Sequence, residues 1–502
     1  LRIQKSITMG NFYQKSIFTA AAVVAANVFV LAQSFTINKV RYDVVSAADK
    51  TVKVGVSATA TGEITIPETV QNNGTDYRVI AIGENAFYNN EKITGVELPS
   101  SVKKIDANAF MNASELSSIT LNESLESIAT GAFYSCSSLK RVDIPASVST
   151  IGDNAFTDSW FIAAFKVNEA SQHFKSVEGV LYSKDGSVLV KYPAGKQGDS
   201  FSVPNTVKTM GTAAMEGSRL YYINLPNSLE TISEAAFVNC LRLMEIKIPN
   251  GVKSIGVNAF LSCISLQVIE ISESVETIGQ QAFLNCPKLG IIYVAENNPK
   301  FTSEGGVLFD KAKKVLINFP VMIGTDYKMP ATVEEIGRYS MSNALALNVL
   351  RLPASLKKIS RYALFGSKNL KTIYCAATIP PALEVAALDQ MPRANIVLKV
   401  PVGAGDAYRA AAIWKEFKIE EDAAMATSEN AKTSVKIYPP QTSGSLFIEQ
   451  QNPAELTIYN MSGQLIKSYK LSAGKNTVDI SREAAGIYLL KIGGETYKVL
   501  KR

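Results

Sequence analysis

Apolar and polar positions repeat with a fixed step along most of this chain. The phrase SIGVNAFLSCISLQVIEI, residues 254–271, recurs in variants that each open on an aliphatic residue: Ile82, Ile105, Ile128, Ile151, Met210, Ile232, Ile255, Ile278, Ile336 and Ile359. Successive openers stand 23, 23, 23, 59, 22, 23, 23, 58 and 23 residues apart. A period of this length is the signature of a solenoid, in which no repeat buries its apolar face alone and stacked neighbours share one core. Five residues after the opener comes an aromatic, at Phe87, Phe110, Phe133, Phe156, Phe237, Phe260 and Phe283, each preceded by Ala. Equal coils superpose equal positions, so these rings predict a continuous internal column with Ala leaving room beside it. Burial of each ring stabilises by about 1.5–3 kcal/mol relative to exposure.

Six residues after each Phe an L-x-x-I-x-L segment begins, as in Leu116, Ile119, Leu121 and Leu243, Ile246, Ile248. Its last apolar positions alternate like one face of a strand, and Pro often closes it, at Pro99, Pro145, Pro226, Pro249 and Pro353. Ten such turns predict a parallel sheet along one wall. Short alternating segments in residues 34–76 predict a β cap, which the first open turn requires because it would otherwise expose an edge and a core.

The two long steps predict hairpin insertions at residues 168–203 and 295–329, each leaving the coil after a strand. They match each other: Val180-Leu181-Tyr182 with Tyr192-Pro193 answers Val307-Leu308-Phe309 with Phe319-Pro320. Leaving the coil in one phase, four turns apart, they predict a two-pronged rim with its prongs about 19 Å apart, either a ligand-contacting feature or a structural decoration that braces the coil. Residues 376–422 leave the period and predict a closing cap of a strand and a short amphipathic helix. A polar linker is expected at 423–434, and then dense short strands at 436–438, 446–448, 456–459, 464–466, 477–480, 486–492 and 497–500 predict a small β-sandwich over 435–502.

The period, the Ala-Phe pair and the strand pattern over 77–375 resemble the 23-residue leucine-rich repeats of BspA-type bacterial surface proteins. That resemblance implies a right-handed coil, mainly β with short helical or turn segments. The last segment resembles the C-terminal sorting domain of the type IX secretion pathway of Bacteroidetes, through Leu456-Thr457-Ile458-Tyr459-Asn460, Gly463-Gln464, residues 476–481 and Gly486-Ile487-Tyr488-Leu489. Tyr438-Pro439-Pro440 departs from it, since Asn usually separates Tyr from Pro in that family.

Charge changes the picture once it is divided. The chain carries +6, but the first 33 residues hold Arg2, Lys5 and Lys15 without an acid, and residues 434–502 hold nine basic against five acidic groups. The body between is left at −1, which argues against a nucleic-acid surface. Lys15 and the apolar run 17–31 read as a secretory signal over residues 1–33, cut after Ala32, and no other stretch suggests a membrane span. The mature chain is therefore expected outside the cell or on the outer-membrane surface.

Candidate chemistry is sparse. One histidine, His173, rules out a histidine triad or multi-histidine metal site within one chain. Acids such as Glu97, Asp143, Glu230, Glu273 and Glu276 fall on outward repeat positions and mark no common pocket. Cys136, Cys240, Cys263 and Cys286 each follow the repeat aromatic by three residues, and Cys375 ends a strand; the odd number favours buried thiols over disulfides. No catalytic residue, metal or cofactor is expected. A protein ligand outside the cell is, together with the secretion machinery as partner of the last domain. The candidate contact residues are Ser118, Thr120, Arg141, Asp143, Glu245, Lys247, Gln267 and Glu270 on the wall, and Lys184 and Lys313 at the insertion turns. These wall positions show no aromatic row. A structural envelope scaffold is the alternative, and a glycan-active enzyme, which needs only carboxylates, the third.

Overall fold

The computed structural model describes residues 33–426, 435–438, 441–442, 444–450, 452–460, 463–493 and 495–501. The expected signal sequence and most of the expected linker lie outside the described residues.

Each opener from Ile105 on ends a two-residue strand that pairs in parallel, in register, with the same position on a neighbouring turn, as Ile105 with Ile128 and Ile128 with Ile151. The chain then turns around the repeat aromatic with two residues at positive φ, such as Asn108 and Asn112 flanking Phe110. Asn tolerates that left-handed backbone better than most side chains. The L-x-x-I-x-L segment follows as a longer strand, Arg141–Ile144 pairing with Ala164–Val167 for instance. Where Pro ends the strand, its carbonyl accepts from the amide three residues on, as Pro145 O does from Val148 N at 3.3 Å. The coil therefore carries two parallel sheets, a narrow ladder and a broader wall, rather than the single wall expected.

The aromatic column is real but broken. Phe87, Phe110, Phe133 and Phe156 stack with centroids 5.2, 5.1 and 5.5 Å apart, and Phe237, Phe260 and Phe283 form a second stack at 4.9 and 5.8 Å. Phe156 meets Phe165 edge-on instead of a further repeat ring. The breaks come from the two insertions, which are not prongs. Phe174–Val177, Val180–Ser183 and Val188–Lys191 form an antiparallel meander whose third strand enters the ladder beside Thr209–Met210. Phe301–Glu304, Val307–Asp310 and Val315–Asn318 do the same beside Glu335–Ile336. The ladder thus holds five, five and four parallel strands in three runs.

The middle strand of each meander is a septum. Leu181 packs into the first core while Val180 and Tyr182 pack into the second; Leu308 belongs to the second while Val307 and Phe309 belong to the third. The chain start has the same topology, Ser34–Ile37, Val40–Ser46 and Thr51–Val54 leading into Thr75–Ile82. There Val40 and Tyr42 are buried, but the residue between them is Arg41, exposed and 2.7 Å from Asp43. One lid design is used three times, with its outer face polar at the first lid and apolar at the two that follow a coil.

At the far end Val397–Val400 and Lys418–Glu421 extend the wall, and the helix Gly405–Ala410 brings Tyr408 over the last turn. Tyr408 Oη donates to Ala377 O at 2.8 Å, and Trp414 Nε1 to Pro381 O at 3.0 Å, so both buried rings satisfy their polar ends. Beyond residue 434, sheets of three and five strands close on a core that includes Leu446, Ile458, Val478 and Leu490.

Candidate functional site

Backbone groups of the broad wall are spent in the ladder, so recognition there falls to the side chains that point outward. In the second segment, register places Ser200, Tyr222, Glu245, Val268 and Ile291 in one row and Lys247, Glu270 and Tyr293 in the next. In the third, Lys328, Arg351, Tyr374 and Lys399 form a row of their own. Neighbours within a row are roughly 4.7–4.9 Å apart at the backbone, close enough for side chains to act together.

The third-segment row is the best organised. Arg351 pairs with Asp326 through two bonds of 3.1 and 3.0 Å, which holds its guanidinium above the ordinary range, and lies 4.3 Å over the Tyr374 ring. Lys399 approaches the same ring from the next turn at 5.5 Å and pairs with Asp422 at 3.4 Å. A half-buried Tyr374 thus sits between two cations that acidic neighbours hold in place. Tyr and Arg supply large, rigid contact surface and often dominate protein interfaces.

Of the residues expected to contact a ligand, Ser118, Thr120, Glu245 and Lys247 point out from the wall and are exposed, and Glu270 is half-buried. Arg141 and Asp143 are exposed but satisfy each other at 2.6 Å. Gln267 is out of phase: it precedes the strand Val268–Ile271, is half-buried, and Val268 takes the outward position. Lys184 is exposed, with Nζ donating to Glu169 O at 3.3 Å. Its counterpart is Lys311, bonded in the same way to Glu296 O at 2.9 Å. Lys313 instead replaces Gly186 at a positive-φ turn and pairs with Glu304. The wall does carry aromatics, Tyr222, Tyr293 and Tyr374, and each sits where another turn has a charged residue.

A second opening lies where the ladder is interrupted before the third segment. It is a cleft of about 380 Å³ lined by Ile278, Gln280, Gln281, Arg338, Glu335 and Lys358 among others, with Arg338 Nη1 donating to Gln280 Oε1 across it at 3.2 Å.

Among the described residues, no cluster of three or more His, Cys, Asp or Glu is placed to hold a metal. His173 is exposed. The cysteines are buried, free thiols. Cys136, Cys263 and Cys286 donate to the carbonyls of Phe110, Phe237 and Phe260 one turn back, at 3.1–3.2 Å. Ser159 and Ser367 make the equivalent bond with a hydroxyl, and Ala113 and Ala344 fill the position without one, so it selects a small side chain. Burial pushes the thiols of Cys136 and Cys286 up to about 12, leaving them unreactive. No described helix is long and apolar enough to cross a membrane.

Comparison with known proteins covers both parts of the chain. Residues 60–177, 194–305 and 324–382 match the BspA type leucine rich repeat region, in six copies. Residues 436–502 match the secretion system C-terminal sorting domain. No curated protein matches. Similar solved structures include the pneumococcal vaccine antigen PcpA, at 19% identity over 78% of this chain and 99% of that one, TM-score 0.43. A leucine-rich repeat protein of Eubacterium ventriosum is similar at 22% identity over 72% and 95%, TM-score 0.45. One from Bacteroides ovatus is similar at 19% over 77% and 99%, TM-score 0.33.

Proposed function

Because the chain belongs to the BspA-type leucine-rich-repeat family and ends in a secretion-system sorting domain, we propose that its solenoid wall binds a protein ligand outside the cell, in the manner of an adhesin. The sorting domain makes it a secreted or cell-surface protein that engages secretion machinery. The observation that carries the ligand reading is the wall row in which Arg351 and Lys399 flank Tyr374. A scaffold whose outer surface met only solvent has no need of a tyrosine held between two braced cations, whereas a protein interface draws its strongest contacts from such groups. Mixed charge along the wall, with acids beside nearly every base, suits a folded protein partner better than a polyanion.

Binding of the purified solenoid to a panel of extracellular-matrix proteins, measured by surface plasmon resonance, tests this. Arg351→Ala combined with Tyr374→Ala should weaken whichever interaction is found by tenfold or more, about 2 kcal/mol or above, without changing the thermal midpoint. Equal binding by the double variant moves the site off this row. Absence of any binding across the panel favours the envelope-scaffold reading. Deleting the insertions is not a clean comparison, because each closes a core.

A further inference from the structure

Down the first wall row of the second segment, the outward residues lose their access to water. Ser200, Tyr222 and Glu245 are exposed, but Val268 and Ile291 are only 4% and 0% exposed. Ile487, on the strand Gly486–Ile492 of the C-terminal sandwich, covers them, with Tyr293 alongside. Ile487 takes no part in the sandwich's own core, so its burial comes from the solenoid. Lys498 from the adjacent strand reaches the same place, where its Nζ donates to Gly290 O at 3.2 Å and to Met322 O at 2.5 Å. Burial lowers this ammonium to about 7, and a neutral amine still keeps the two N–H groups those carbonyls use.

The repeat itself gives a second observation. The position of Gly290 is occupied in other turns by Ser117, Lys140, Tyr221, Met244, Gln267, Asn348 and Lys371. Gly290 has no positive φ to demand glycine, yet a Cβ there would lie 3.3 Å from Ile487 Cδ1 and 3.7 Å from Lys498 Nζ. A longer side chain would occupy the contact. The next position reads Ser118, Arg141, Ala164, Tyr222, Glu245, Val349 and Thr372 elsewhere, none of them buried, whereas Val268 and Ile291 here are. A glycine found in none of the turns named above and two buried outward aliphatics, at 290, 268 and 291, converge beneath the C-terminal domain.

We propose that the Val268–Gly290–Ile291 patch is a masked binding site for a protein segment that presents an aliphatic side chain beside a lysine, and that the chain's own C-terminal domain is its resident occupant. This rests on the reading of the wall as the ligand-binding face. A ligand of that kind reaches the patch only when the domain is drawn away, so ligand capture by the wall and engagement of the domain elsewhere are coupled.

Small-angle scattering and fluorescence of the apolar dye bis-ANS, both on the full chain, test the mask. Ile487→Asp removes the plug without touching the sandwich core. Gly290→Gln blocks the contact from the solenoid side with the residue the preceding turn already carries. Each variant should expand the particle and raise dye fluorescence while the circular dichroism of the wild type is retained. Identical scattering and dye binding by wild type and both variants overturns the proposal. If a matrix protein is found to bind the wall at this patch, Ile487→Asp should bind it about tenfold more tightly, the gain expected when a site occupied nine-tenths of the time is opened, whereas Gly290→Gln, which fills the patch itself, should bind it no better than the wild type. Expansion and dye binding with no matrix protein captured keeps the mask and removes the protein-ligand reading on which the choice of ligand rests.

Discussion

At the junction of the first and second segments, Lys191 and Glu216 form a buried ion pair of 2.9 Å. Lys191 also donates to Ala213 O, while Trp160 Nε1 and the Asp158 amide donate to the Glu216 carboxylate. At the junction of the second and third segments the same meander places Asn318 and Ser342 at those two positions. Their shorter side chains leave a cavity of about 20 Å³, roughly one water, and Asn318 Oδ1 and Ser340 Oγ have no protein partner. The 380 Å³ cleft shares Asn318 and Tyr339 with that cavity. Two lids of one design are therefore finished differently, the first with a buried ion pair and the second with short polar side chains around a small cavity. A buried pair tolerates loss of neither partner, whereas the two short side chains at the second junction tolerate repacking.

The sharpest way to break this comparison is to exchange the faces of a lid. Leu181→Arg places an unpaired charge between two cores and should cost about 5 kcal/mol. Arg41→Leu, at the matching position of the first lid, should stay within about 0.5 kcal/mol, because that face meets solvent. Urea denaturation of both variants checks the asymmetry, and equal effects would mean that the middle strand of the insertion is no septum.

Next in size is Lys191→Met, expected to cost about 3–5 kcal/mol at pH 7. In the wild type, burial favours the neutral form of Glu216, but Lys191 and the bonds from Lys191, Trp160 and Asp158 outweigh it and hold the carboxyl below its ordinary value. A depressed carboxylate contributes stability that is present above its unfolded value and lost as pH falls through the folded one. Without Lys191 burial dominates and the sign reverses: the variant should lose stability as pH rises above the ordinary carboxylate range, and its deficit should shrink toward pH 4. A deficit that is flat with pH would show that the pair is not what holds Glu216 ionised.

The smallest effect sharpens rather than breaks the contrast. Lys191→Asn with Glu216→Ser converts the first junction to the chemistry of the second and should cost about 1–3 kcal/mol, less than the single Lys191 variant, because no lone charge is stranded. Hydrogen exchange of the strands Thr150–Ile151 and Thr209–Met210 reports it locally.

The period and the core phenylalanines were legible in the sequence because each side chain has the same neighbour one turn on, and the C-terminal strands because short alternating runs stand between Gly and Ser turns. That the insertions brace the coil could be read, but not that they enter the ladder, because Leu189 and Leu316 pair there without the aromatic phrase that marks a repeat. A signal was present all the same: Val40-Arg41-Tyr42, Val180-Leu181-Tyr182 and Val307-Leu308-Phe309 are one lid written three times, with the central residue reporting what lies behind it. The wall was legible in its alternation but not in its clusters. Arg351 meets Tyr374 only through a register 23 residues away, and Gly290 gains its meaning from Lys498, 208 residues on.

The septa also set how the molecule responds to force. A protein tethered at one end and pulled at the other by an attached ligand bears tension along its solenoid, and an uninterrupted coil would unravel turn after turn once an end gave way. Here a yielding segment leaves its neighbour still lidded, so extension should proceed in discrete steps, each releasing one run of turns while the others keep their grip.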